Sequence, residues 1–83
     1  MTITQYLHCC RKLSRFCSQN GWIDNDSLHF EILEQEDRAV ITAVEFEEII
    51  MDGTGHIAQR VSCLGWLRLL LDEDGEVQSS ELL

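Results

Sequence analysis

Residues 38–71 read RAVITAVEFEEIIMDGTGHIAQRVSCLGWLRLLL. Two long runs rich in Val, Ile, Leu and aromatic residues flank Asp52-Gly53-Thr54-Gly55, and glycines that tolerate positive φ make that tetrapeptide a hairpin turn. Pairing Met51 with His56 across it sets Val40, Val44 and Phe46 opposite Leu67, Cys63 and Val61 on one face. Ile41 and Ala43 then meet Trp66 and Leu64 on the other face. The same pairing places Glu47 opposite Arg60, a favourable cross-strand charge pair. A slip of one residue would turn every core side chain to the wrong face. As a helix, 57–71 would carry Arg68 in the middle of its apolar arc. As a strand its odd positions (Ile57, Val61, Cys63, Leu67, Leu69, Leu71) are apolar, with Arg60, Ser62 and Arg68 on even ones, so the stretch is read as a strand. Gly65 within it reads as a bulge or kink.

Upstream, Leu28 to Leu33 alternates as a strand, and Gln35-Glu36-Asp37 is a short loop. Pairing Ile32 with Val40 carries the core face on through Phe30 and Leu28. The run from Ala39 to Met51 exceeds an average strand, which predicts a bend or bulge. Downstream, Asp72-Glu73-Asp74-Gly75 is a turn and Glu76 to Leu82 a final short edge strand. At about 100° per residue, Ile3, Tyr6, Leu7, Cys10, Leu13 and Cys17 share one arc, so 3–19 reads as an amphipathic helix. Thr2 or Thr4 caps its start and Asn20-Gly21 its end. Trp22-Ile23 folds back onto the helix end, and Asp24-Asn25-Asp26-Ser27 is turn chemistry. The expected fold is α+β: one N-terminal helix packed on an antiparallel β-meander of three to four strands.

Eighty-three residues make a single domain, 1–83, near the small end of what folds unaided. An apolar fraction of 45% is that of a globular chain. No apolar run approaches the roughly 20 residues of a membrane helix. The first residues lack a basic segment followed by an apolar core, so no secretory signal is read and a cytoplasmic location is expected. The net charge is −9. Arg11, Lys12 and Arg15 stand without any acid in 1–19, while all fifteen acids lie in 20–83 against Arg38, Arg60 and Arg68. Such a distribution disfavours nucleic acid and favours basic partners.

Catalytic and metal motifs are absent from the sequence. There is no Cys-x-x-Cys pair, and Cys10 and Cys17 stand about 10.5 Å apart along a helix, beyond the roughly 7 Å reach of a disulfide. Buried free cysteine acts as a small hydrophobe, and Cys63 on the core face leaves a contact with Cys10 or Cys17 open. Cys9 is different: Lys12, three residues on, is its helical neighbour, and a cation there activates a thiol. His8, His29 and His56 fall on separate elements. Neither Asp24 nor Asp26 begins an EF-hand, because the sixth position is then His29 or Glu31 rather than Gly. Glu45, Glu47 and Glu48 are neighbours only in sequence. No nucleophile, base and acid converge, so no enzymatic activity and no cofactor are expected.

A sheet covered on one side by one helix is polar on its open side, yet here that side carries Leu33, Ile41, Ala43, Leu64 and Trp66, rimmed by Glu31, Glu45 and Glu47. Contiguous exposed apolar surface marks an interaction site. The expectation is a small acidic module, an adaptor or an inhibitor of a basic partner, that also self-associates as a homodimer through this face. Coverage of the face by residues 76–83 or by the Trp22 segment is the competing arrangement. The alternative function is a thiol or metal module built on the Cys9-Cys10 region.

Overall fold

Along Ala39–Met51, Val40, Thr42, Val44, Phe46 and Glu48 alternate with Ile41, Ala43, Glu45 and Glu47, and this stretch forms one strand, β2 (Ala39–Met51). The computed structural model describes residues 2–19 and 21–83. In it β2 lies between β1 (Trp22–Gln35) and β3 (Ile57–Leu71), and β4 (Val77–Leu82) adds to the far edge of β3. All neighbours are antiparallel and follow chain order. A short N-terminal helix and a four-stranded β-meander make the α+β fold expected from the sequence. The molecule is elongated, 48 × 19 × 16 Å, because the three long strands run 13 to 15 residues.

The N-terminal segment is not one continuous helix. An α-helix, α1 (Ile3–His8), ends at Cys9, and a 3-10 helix (Arg11–Phe16) follows after Cys10. Thr2 caps α1: its Oγ1 accepts from Gln5 N at 3.2 Å, and Gln5 Oε1 accepts from Thr2 N at 2.9 Å, a reciprocal capping box. The break has a cause in the spacing. Leu7, Cys10, Leu13 and Phe16 recur every third residue, and a helix of three residues per turn stacks such positions on one face. Leu7 and Leu13 are fully buried, and Cys10 and Phe16 pack against the same core. Each buried leucine contributes about 2 kcal/mol. Asn20, expected to close the helix with Gly21, lies outside the described residues.

The even positions of β2 and the odd positions of β3 form the covered face: Val40, Val44, Phe46, Cys63, Leu67 and Leu69 are buried together with Leu7, Leu13 and Val77. The register differs from the expected one by two residues. Val40 lies opposite Leu69, Val44 opposite Gly65 and Phe46 opposite Cys63, while Ala43 meets Trp66. The displacement arises at the hairpin end, where Met51 pairs with Ile57 instead of His56 and Ala58 forms a bulge before Ile50 meets Gln59. A shift of two leaves every side chain on its expected face. Arg60 consequently sits opposite Ile49 and reaches Asp24 at 3.0 Å and Glu47 at 3.5 Å diagonally. Both remaining turns use one device. Asp52 Oδ1 accepts from the backbone of Thr54 and His56, Asp72 Oδ1 from that of Asp74 and Glu76, and Gly55 and Gly75 close the turns at φ 87° and 82°.

Three local expectations are corrected. Gly65 makes no bulge: it sits in unbroken pairing with Val44, and the ring of Phe16 lies directly on it. Asp24 to Ser27 is not a turn ahead of the strand but builds a large bulge inside β1, which starts at Trp22, and residues 25–28 there face Phe46 alone. There Ser27 Oγ donates to Asp24 O at 2.7 Å and accepts from Glu47 N at 2.8 Å. Because that bulge and a second one at Leu33 reset the pairing, Ile32 meets Thr42 rather than Val40. Phe30 and Ile32 lie past the end of the helical layer and remain 37% and 46% exposed, while Leu28 packs on the core.

Thr42 is the one buried side chain with an orphaned polar atom among the described residues: its Oγ1 has no hydrogen-bond partner. Thr42→Val keeps the shape and removes the desolvated hydroxyl. It is expected to raise stability by about 1 kcal/mol, measured by urea denaturation at an unchanged m-value.

Candidate functional site

The uncovered face of the sheet is built in rows. Trp22, Ile49 and Arg60 form one; Asp24, Glu47 and Ser62 the next; then His29, Glu45 and Leu64; then Glu31, Ala43 and Trp66; then Glu34, Ile41, Arg68 and Glu81. Ile41, Ala43, Leu64, Trp66, Glu31, Glu45 and Glu47 therefore share this face. Leu33 is exposed at the bulge between Ile32 and Glu34, outside the paired rows. Among the described residues, nothing folds over the centre of the face. Residues 77–82 extend the sheet sideways as β4, and Trp22, 70% exposed, is part of β1. Leu64 and Trp66 are 54% and 45% exposed, and a bond from Leu83 N to Trp66 O (3.2 Å) brings another exposed leucine beside the tryptophan.

A shallow depression of about 280 Å³ lies against Leu64, lined by His29, Phe30, Glu31, Ala43, Glu45 and Leu64, and Trp66 stands in the next row, opposite Ala43. Its two carboxylates, Glu31 and Glu45, have no cationic partner among the described residues. The arginines on the face are already engaged, Arg60 with Asp24 and Glu47, and Arg68 with Glu81 at 3.2 Å. The arrangement offers an apolar platform beside two free acids, a fit for a side chain with a long apolar stem and a cationic head. A second depression, lined by Thr4, Leu7, His8, Leu28, His29 and Phe30, brings His8 and His29 to its wall at the same edge. His56 is held in the hairpin turn, where its Nδ1 bonds Thr54 Oγ1 at 2.8 Å.

On the covered face Glu48 is fully buried. Its position has the parity of Phe46, a signal that could have separated it from the solvated Glu45 and Glu47. Oε1 accepts from Ser18 N and Ser18 Oγ, both at 2.9 Å, and Oε2 from Gln19 N at 3.1 Å and Gly21 N at 2.6 Å. Burial pushes its carboxyl up, but the bonds from Gly21, Ser18 and Gln19 more than offset this and hold it at about 2. Glu48 thus pins the segment after the 3-10 helix to β2. Gly21 passes so close that a Cβ would come within 2.6 Å of Ile49 O. At the other edge, Ser80 does the same for β4, bonding Tyr6 Oη at 2.8 Å while its carbonyl accepts from Lys12 Nζ.

Cys17 and Cys63 flank Glu48, as the sequence left open for Cys17 and Cys63, and the three donor atoms lie within 4.8 Å of one another. Burial first, and the Glu48 charge second, push the Cys17 thiol up to about 11 and raise Cys63 in the same direction. Cys9 is exposed at the end of α1. The helix breaks between it and Lys12, whose ammonium is bonded to Ser80. No helix is long and apolar enough to cross a membrane among the described residues. Comparison with protein-family models, with curated proteins and with solved structures finds no match to this chain.

Proposed function

We propose that this chain is a protein-interaction module that takes a basic partner on the open face of its sheet. Leu64 and Trp66, extended by Ile41, Ala43 and Leu33, supply apolar anchorage, and Glu31 and Glu45, with Glu47 behind them, receive Lys or Arg. The supporting observation is the depression walled by two acids without counter-ions, with the exposed Trp66 lying cross-strand from its lining residue Ala43. Tryptophan is a favoured interface anchor, and unpaired acids around it accelerate encounter with a cationic surface. A second copy of the chain docked face to face would bring Glu31, Glu45 and Glu47 near their own counterparts within a molecule of charge −9. Charge complementarity therefore favours the basic partner over the homodimer.

The probe is a short alternating Lys/Leu peptide, with a Glu/Leu peptide of the same length as its control. Titration followed by amide chemical shifts and tryptophan fluorescence is expected to map the Lys/Leu peptide to Leu64, Trp66, Glu31 and Glu45, and to weaken as salt rises. Trp66→Ala is expected to weaken it on the order of thirty-fold with the fold unchanged, since the side chain is half exposed. Binding of both peptides alike, or shifts elsewhere on the molecule, would overturn the proposal. So would a stable dimer by light scattering with Trp66 shielded from quencher.

A further inference from the structure

The buried cluster on the opposite face plays no part in docking and stands independently of it. We propose that Cys17, Cys63 and Glu48 are the protein ligands of a buried Zn²⁺ site. They come from three separate places, the segment after the 3-10 helix, the middle of β3, and β2, yet their two sulfurs and a carboxylate oxygen converge within 4.8 Å. Tetrahedral Zn²⁺, with Zn–S about 2.3 Å and Zn–O about 2.1 Å, sets ligand sulfurs about 3.8 Å apart and sulfur to oxygen about 3.6 Å apart. Cys63 Sγ and Glu48 Oε1 are 3.9 Å apart, within a few tenths of an ångström of that spacing, and the other donor pairs need to close by about 1 Å at most.

The donor set selects the ion. Two sulfurs with one carboxylate suit Zn²⁺ and reject Mg²⁺ and Ca²⁺, which take oxygen. The anion is otherwise without a countercharge: no salt bridge reaches Glu48 among the described residues. Gln19 N and Gly21 N hold Oε2, so the carboxylate is oriented by backbone that stays in place when Oε1 turns to the metal. The Ser18 hydroxyl, 2.9 Å from Oε1, would give up that bond and become available to ligate the ion or orient a water on it. Ser18 and Gln19 are exposed, which gives the ion a way in. On binding, both thiols lose their protons to solvent and Zn²⁺ takes their place.

The test uses the untagged full chain after chelator treatment. Co²⁺ is added first and Zn²⁺ then displaces it. One equivalent of Co²⁺ is expected to give the near-ultraviolet thiolate-to-cobalt band, abolished in Cys17→Ser and Cys63→Ser and retained in Cys9→Ser and Cys10→Ser. Glu48→Gln is expected to weaken binding about ten-fold or more. Since Cys63→Ser alters the core, the wild-type chain supplies a second readout: Zn²⁺ slows alkylation of Cys17 and Cys63 several-fold, mapped by mass spectrometry, and leaves Cys9 at its metal-free rate. Absence of both the band and the protection would overturn the site. Protection confined to Cys9 and Cys10 would do so too, as would a Cys17–Cys63 disulfide forming in preference to metal binding.

Discussion

Gly65→Val is expected to cost about 2 kcal/mol of stability, and to cost almost nothing once Phe16 is replaced by Ala. By strand propensity alone the substitution should help, because Gly in a strand interior forfeits about 0.5–1 kcal/mol of backbone entropy and has no side chain to pack. The structure reverses that sign. Gly65 is buried opposite Val44 in regular pairing, and the Phe16 ring occupies the space a Cβ would take. A valine there expels Phe16 from the core, and Phe16 is the last residue of the 3-10 helix that covers the sheet. In Phe16→Ala the obstruction is gone, so Gly65→Val in that background keeps only the strand advantage. A double-mutant cycle by urea denaturation reads the coupling. Additive losses from the two substitutions would show that the glycine has some other purpose.

The same pair of residues marks where the sequence was legible and where it was not. Period-two alternation fixes which face a residue takes, and it survives a register error of two; this is why Ile41, Ala43, Leu64 and Trp66 were identifiable as one surface although their exact partners were not. Turn composition marked Asp24–Ser27 as a turn rather than a bulge, because composition does not say whether the chain leaves the sheet or rejoins it, and Ser27 bridging to Glu47 makes it rejoin. The bulge then shifted Phe30 and Ile32 past the helical cover. In the N-terminal segment, the arc drawn at 3.6 residues per turn left Phe16 at its edge, whereas a repeat of three puts Phe16 in line with Leu13 and onto Gly65. A glycine kept clear for a ring from a distant segment has no local signature. Glu48 was half visible: its parity matches Phe46, but an acid on a core face makes sense only once the loop supplying its donors is in place.

Glu48→Ala is expected to lower the melting temperature by about 10 °C or more. Removing the carboxylate leaves the part-buried N–H groups of Ser18, Gln19 and Gly21 without the acceptor they share. A buried donor without a partner is more damaging than the average hydrogen bond is helpful. Glu48→Gln fills the space but turns one acceptor into a donor facing donors, so it falls between wild type and Ala. Acid supplies an independent reading on the unaltered chain, with chelator present to keep metal out. The folded state holds the carboxyl at about 2 against an ordinary 4.5, so the unfolded chain takes up the proton first as pH falls. The stabilisation is complete above about pH 4.5 and drains away toward pH 2. Thermal melts of wild type and Glu48→Gln should therefore differ most near neutrality and converge through that interval. A gap that stays constant with pH, or a Glu48→Ala protein melting with wild type, would mean that the segment at 17–21 is held by its apolar contacts and that the carboxylate is incidental.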